Sequence, residues 1–181
     1  MQRWILCVGL LVAGGCAIAE RAPVASVRHH DPRLAKLRKL FESYNSPGAA
    51  LAEYFLRAAD RYGLDWRLLP SISIVETGGG KTAVNNNLLG WDSSRKSFAS
   101  ARASIDYVAA RLAGSKLYRG RTLDALLARY NGRHAWAELV KAVMRRADPG
   151  EPLRARRVVL LDASPEASLR STARPELPPL R

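Results

Sequence analysis

Ser71–Trp91 reads SISIVETGGGKTAVNNNLLGW: an apolar run that closes on a single glutamate, then three glycines and three asparagines with which the backbone can turn. Ile72, Ile74 and Val75 make the run helix-like and apolar, and Glu76 is its one charge. The plain reading of such a residue is a solvated carboxylate at a helix end, followed by a glycine stop. The alternative is an acid held in a half-dry cleft. Loss of water disfavours the charged form of a carboxyl and raises its pKa, and the partial negative charge at a helix C-terminus acts in the same direction.

Working outward, helix start and stop signals recur along the chain. Asp65 caps a segment from Trp66 to Glu76, in which Pro70 predicts a kink or a late helical start. Before it, Ser46-Pro47 opens a helix whose Leu51, Tyr54, Phe55, Ala58, Ala59 and Tyr62 form one apolar stripe, with Gly63 as the stop. Asp31-Pro32 gives an earlier start, and Leu34, Leu37, Phe41 and Tyr44 recur at helical spacing up to Asn45. Downstream, helices are predicted over Ser100 to Leu112 with Gly114 ending the element, over Thr122 to Tyr130, and over Trp136 to Arg146. Nothing alternates convincingly at period two, and VVLL at Val158–Leu161 reads as a strand or a docked tail segment. The expected fold class is therefore all-α. Residues 20–45 read as a helical arm or linker, 46–147 as the folded domain, and 148–181 as a Pro/Arg-rich basic tail. DPGEPLRARR and RPELPPLR hold too little apolar material to stay ordered alone, so the tail is expected to be flexible or to contact an envelope partner.

With 181 residues, 48% of them hydrophobic, the chain can bury one real core and has no room for a second full domain. The opening MQRWILCVGLLVAGGCAIAE carries Arg3, an apolar run from Trp4 to Val12 and the small-residue ending Ala17-Ile18-Ala19. That is the pattern of a secretory signal peptide over 1–19, and its apolar run falls short of the roughly 20 residues of a membrane helix. A rival reading makes Cys16 the lipidated first residue of a bacterial lipoprotein, with Ala13 standing where such signals usually carry Leu or Val. Both readings place the protein outside the cytoplasm, in the periplasm or beyond. Both cysteines precede Ala19, so a chain cut there has no disulfide, no cysteine metal site and no thiol nucleophile. Lys and Arg number 29 against 16 Asp and Glu, a formal charge of +13. Nucleic acid is a poor partner for an exported chain without a basic stripe interleaved with aromatics. A cationic surface suits a polyanionic cell wall; a merely solubilising charge is the other account.

Cleaving a glycosidic bond requires a proton delivered to the leaving oxygen, and a carboxylic acid supplies it when burial keeps it protonated near neutral pH. Gly78, Gly79 and Gly80 would let the chain leave sharply and bring backbone close enough to admit a flat sugar ring. VETGGGK followed by NNNLLGW resembles the motif pair of the bacterial endo-β-N-acetylglucosaminidase family of the lysozyme-like superfamily, in which Glu-(Ser/Thr)-Gly-x-Gly-Lys precedes Asn-Asn-Leu-Phe-Gly. KSFASARASIDYVAARLAGSKLYRG is similar to that family's next section, and AADRYGLDWRLLPSISIVE to its approach helix. LARYNGRHAWAELVKAVMR resembles the Tyr-Asn section of lytic transglycosylases. Together these motifs span roughly Leu51 to Met144 in the expected order. The resemblance implies a lysozyme-like helical domain that cleaves the β-1,4-linked amino-sugar strands of peptidoglycan without a cofactor, acting as a monomer. It makes Glu76 the general acid and puts Tyr130 beside it. Asn86, Asn87, Gly90, Trp91 and Asn131 would lie along the sugar groove. Each also has a plain role: turn formers for Asn85 to Asn87, a core anchor for Trp91, and a helix end for Tyr130 and Asn131.

Two departures from the family pattern leave the reaction open. Only Thr77 to Val84 separates the glutamate motif from the asparagines, with no second acid between them; Asp92 is the nearest substitute and Asp106 a weaker one. LLGW also replaces the Gly-Leu-Met-Gln stretch usual in transglycosylases. Inverting hydrolysis needs two carboxyls about 6.5–9.5 Å apart, whereas an anhydro-forming transglycosylase needs one. A binding module that keeps the groove without catalysis is the third reading. Other chemistries lack their residues. His29, His30 and His134 form no metal-binding helical pair, GGGKT lacks the first glycine of a P-loop, and no nucleophile elbow occurs.

Overall fold

The computed structural model describes residues 31–156. The expected signal peptide over 1–19, Cys16, the tail beyond 156 and the Val158–Leu161 run lie outside the described residues. Six α-helices follow one another: α1 (Pro32–Ser43), α2 (Ala52–Tyr62), α3 (Leu68–Thr77), α4 (Ala101–Gly114), α5 (Leu123–Tyr130) and α6 (His134–Ala147), with a 3₁₀ turn, Pro47–Leu51, leading into α2. Among the described residues there is no strand, and one isolated antiparallel bridge joins Leu64 to Arg156. The chain is mainly helical, as its periodicity predicts.

The ends of these helices are set by local chemistry. Asp31, Ser100 and Thr122 accept hydrogen bonds from the first-turn N–H groups of Arg33, Ala103 and Ala125, satisfying donors that a helix start leaves without intrahelical partners. Gly63 and Gly78 close α2 and α3 in the left-handed conformation, with φ of 62° and 63°. Pro70 sits in the first turn of α3, where a missing N–H is harmless. The late start therefore forms instead of the kink.

α3 is the hub. Leu68, Leu69, Pro70, Ser71, Ile72, Ser73, Ile74 and Thr77 are all buried, so the helix is covered on nearly every side, and it packs on α2 and α6. A helix apolar all round belongs inside a fold. Its last turn is where it meets the outside, and that turn carries Glu76.

Two boundaries differ from the sequence expectation. α1 is no arm: Leu34, Leu37, Leu40 and Phe41 are buried in the common core, and Phe41 packs on Phe55 with ring centroids 5.3 Å apart. Burying each such side chain contributes roughly 1.5–3 kcal/mol, which holds in place a three-turn helix that is marginal alone. The start of the tail is also tied down. The buried Arg67 donates to the backbone carbonyls of Asp148, Glu151 and Pro152, and the Trp66 indole donates to Glu151 at 3.2 Å. Both ends of the described span, α1 and residues 148–156, are thus part of the folded body.

Candidate active-site cleft

Glu76 lies half-buried in the last turn of α3. Next to it Thr77, itself buried, donates its hydroxyl to the carbonyls of Ser73 at 3.1 Å and Leu88 at 2.7 Å and accepts from the Gly80 N–H. This stitches the loop of residues 82–100 back against the helix end. The loop then passes Gly90 directly over the carboxyl: a side chain at Gly90 would place its Cβ 2.9 Å from Glu76 Cδ and 3.1 Å from Cγ. Gly90 also has φ of 67°, a conformation that costs most other residues about 1–3 kcal/mol. Gly90→Ala is therefore expected to lower the melting temperature and to displace the Glu76 carboxyl. Melting curves and a glycan-cleavage assay check both effects, and an unaltered variant would mean that the carboxyl does not depend on this contact.

Around Glu76 opens a cleft of about 760 Å³, lined by Gly90, Trp91, Asp92, Ser93, Lys96, Tyr107, Tyr118, Tyr130 and Asn131. Trp91 is the centre of its aromatic wall, meeting Tyr107 edge-on at 5.8 Å and Tyr130 at 5.7 Å, with Tyr118 at 6.1 Å. Tyr130 in turn stacks on Trp136, with centroids 5.5 Å apart and planes 4° from parallel. Aromatic faces and edges of this kind suit the apolar faces of sugar rings.

Of the residues singled out in the sequence, Glu76, Gly90, Trp91, Asp92, Tyr130 and Asn131 meet in this cleft. Asn87 does not. It is fully buried, and its amide donates to the carbonyls of Trp91 (2.8 Å) and Lys96 (3.0 Å) while accepting from the Trp91 N–H (2.9 Å). Its role is to brace the loop that carries Trp91. Asn86 is exposed, off the cleft, and donates to the Phe98 carbonyl; Asn85 and Asn86 both have positive φ, as turn formers do. Asp106 is also off the cleft, paired with Arg61 and accepting from the Tyr62 hydroxyl. The triple glycine is not a cleft wall either. Gly79 is buried, and a Cβ there would lie 3.2 Å from Phe41 Cδ1 and 3.0 Å from Ser46 Cβ, so its missing side chain makes room for the core. Tyr107 and Tyr118 belong to the stretch whose Asp-Tyr pair and following Tyr resemble the family's next section, but the sequence reading gave neither of them a site role, nor Lys96 or Trp136.

Electrostatically, Glu76 stands apart from the other carboxylate. Burial pushes its carboxyl above the ordinary value of 4.5, opposed by the nearby Trp136 indole and the Asn131 amide. The indole nitrogen is buried and completes no hydrogen bond of normal geometry, so its effect on the carboxyl is one of proximity. Asp92 is half-exposed and bound by Arg95 at 2.6 Å. Tyr130 donates to the Leu89 carbonyl at 2.5 Å, and burial followed by the nearby Glu76 charge holds its phenol well above 10.0. It stays protonated, a donor beside the carboxyl. Asp92, Ser93 and Ser94 all have positive φ, in a tight turn at the cleft rim closed by the Ser94 N–H to Gly90 and Arg95 N–H to Asp92 carbonyl bonds.

Among the described residues no cluster of three or more His, Cys, Asp or Glu could hold a metal ion, and no helix is long and apolar enough to cross a membrane. No family model, no characterised protein and no solved structure matches this chain.

Proposed function

We propose that this protein is an exported, lysozyme-like enzyme that cleaves the β-1,4-linked N-acetylglucosamine/N-acetylmuramic acid strands of peptidoglycan, with Glu76 as general acid. The observation that carries the reading is the Glu76 carboxyl itself: half-buried, raised in pKa by desolvation, and seated against Gly90 at an aromatic cleft. Such an acid can keep its proton until the glycosidic oxygen needs it. Trp91 stacks on a sugar face, Asn131 bonds to the glycan, and the protonated Tyr130 orients the loop carbonyl beside the acid.

Anhydro-forming cleavage is favoured because it needs Glu76 alone, whereas inverting hydrolysis also needs a second carboxyl, and the other one lining the cleft, Asp92, is half-exposed at the rim and paired with Arg95. In that reaction Glu76 gives its proton to the leaving oxygen. The resulting carboxylate then takes the proton of the muramyl 6-hydroxyl as that oxygen closes on the anomeric carbon, which restores the acid. Mass spectrometry of fragments released from purified peptidoglycan tests both readings. The expected products end in 1,6-anhydromuramic acid. Reducing N-acetylglucosamine ends would instead establish a glucosaminidase with Asp92 as the candidate base, and no release at all would leave a glycan-binding module.

A further inference from the structure

The cleft extends from Glu76 to a wall made by Lys96, Tyr107 and Tyr118, which the acid chemistry does not use. Lys96 Nζ lies 4.7 Å from the centre of the Tyr107 ring and 5.5 Å from that of Phe98. No carboxylate pairs with it among the described residues. A lysine seated on aromatic faces still has N–H donors to offer. The Arg111 guanidinium lies 5.8 Å from the same Tyr107 ring, and Arg111 and Arg129 both bear electrostatically on the Tyr118 hydroxyl. Of the two cleft carboxyls, Asp92 is already taken by Arg95 and Glu76 lies against Gly90. At this end of the cleft Lys96 is thus a lining cation with no protein anion paired to it among the described residues, and the exposed Arg111 and Arg129 add positive charge nearby. Neutral sugar rings would meet stacking surfaces there but would give the Lys96 ammonium no anionic partner.

We propose that this wall is an anion-recognising subsite, in which Lys96 receives a carboxylate carried by the glycan. The inference rests on the glycan-cleaving reading above. Two parts of peptidoglycan supply the same chemistry: the lactyl carboxyl of a muramyl residue stripped of its peptide, and the carboxylates of the peptide stem. Lys96 meets the carboxylate directly, and Arg111 and Arg129 add a longer-range attraction.

The test is calorimetric titration of the full chain carrying Glu76→Gln, which turns its ligands over far more slowly than the parent, with three oligosaccharides of equal length. These are an N-acetylglucosamine oligomer, a peptide-stripped muramyl oligomer and its peptide-bearing counterpart. Carboxylated ligands are expected to bind about three- to tenfold more tightly than the neutral one. Adding Lys96→Gln should remove most of that difference, whereas Lys39→Gln, which deletes a remote surface charge, should retain it. A gain with the stripped oligomer assigns the lactyl carboxyl, and a gain with the peptide-bearing one alone assigns the stem. Equal affinity for all three ligands, or equal losses from Lys96→Gln and Lys39→Gln, would overturn the subsite while leaving the glycan-binding reading intact. No binding of any ligand would overturn both.

Discussion

Glu76→Gln is expected to lower turnover of peptidoglycan about 10²- to 10⁴-fold, the usual worth of a positioned acid, while the protein stays folded and still binds glycan. Glutamine keeps the shape of the side chain beside Gly90 and loses only the transferable proton. Its effect on stability has a defined sign. Because burial raises the Glu76 pKa above its ordinary 4.5, the folded chain holds this proton more tightly than the unfolded chain does. That contribution is fully present below the ordinary value and is lost as pH rises through the raised one. The variant should therefore melt at or slightly above the parent at neutral pH, with the gap closing as pH falls towards 4.5. The parent's kcat/KM should also decline on the alkaline side at a pH above the ordinary glutamate range, as Glu76 loses its proton. A variant that melts markedly lower, or cleaves as well as the parent, would make Glu76 a structural charge.

Arg67→Met is expected to have the largest effect on stability, about 3–5 kcal/mol, the cost of stranding one partner of a buried ion pair. The Arg67 side chain is 0% exposed and Asp65 5%. Its guanidinium donates to both Asp65 oxygens, at 2.9 and 2.6 Å, and its remaining N–H groups reach the carbonyls of Asp148, Glu151 and Pro152. Methionine fills part of the volume, but the Asp65 carboxylate stays buried without its cation and three carbonyls lose a donor. A loss of this size should lower the melting temperature by roughly 10 °C or more. Hydrogen exchange should rise first over residues 148–156, since Arg67 bonds three of that segment's carbonyls to the start of α3. Asp65→Asn with Arg67→Met should recover part of the loss, because the double variant removes the stranded charge. If Arg67→Met melts like the parent, the ion pair contributes little and the segment is held by its other contacts, the Trp66–Glu151 bond and the Leu64–Arg156 bridge among them.

The extent to which the chain announces its own structure differs between helices and cleft. Periodicity and end chemistry are local: Asp31-Pro32, Ser100, Thr122 and Gly63 place helix ends because the groups they satisfy lie within a few residues. For the same reason Glu76 was legible as a lone carboxyl at the end of an apolar helix. What a stripe cannot encode is the surface it meets. Leu34, Leu37, Leu40 and Phe41 would look alike on an arm or in a core, and only their packing on Phe55 and its neighbours made α1 part of the body. The asparagines and glycines show the same limit. Asn86 and Asn87 are adjacent and chemically identical, yet the turn between them sends one outward and the other inward to brace Trp91. Gly79 and Gly90 both have positive φ, but one yields space to Phe41 and the other to the Glu76 carboxyl. Lys96, Tyr107, Tyr118 and Trp136 come from a loop, a helix, a turn and another helix. The sequence by itself determined the helices and the acid, because those depend on neighbours along the chain; the tertiary structure decided what surrounds the acid, because desolvation and stacking depend on neighbours in space.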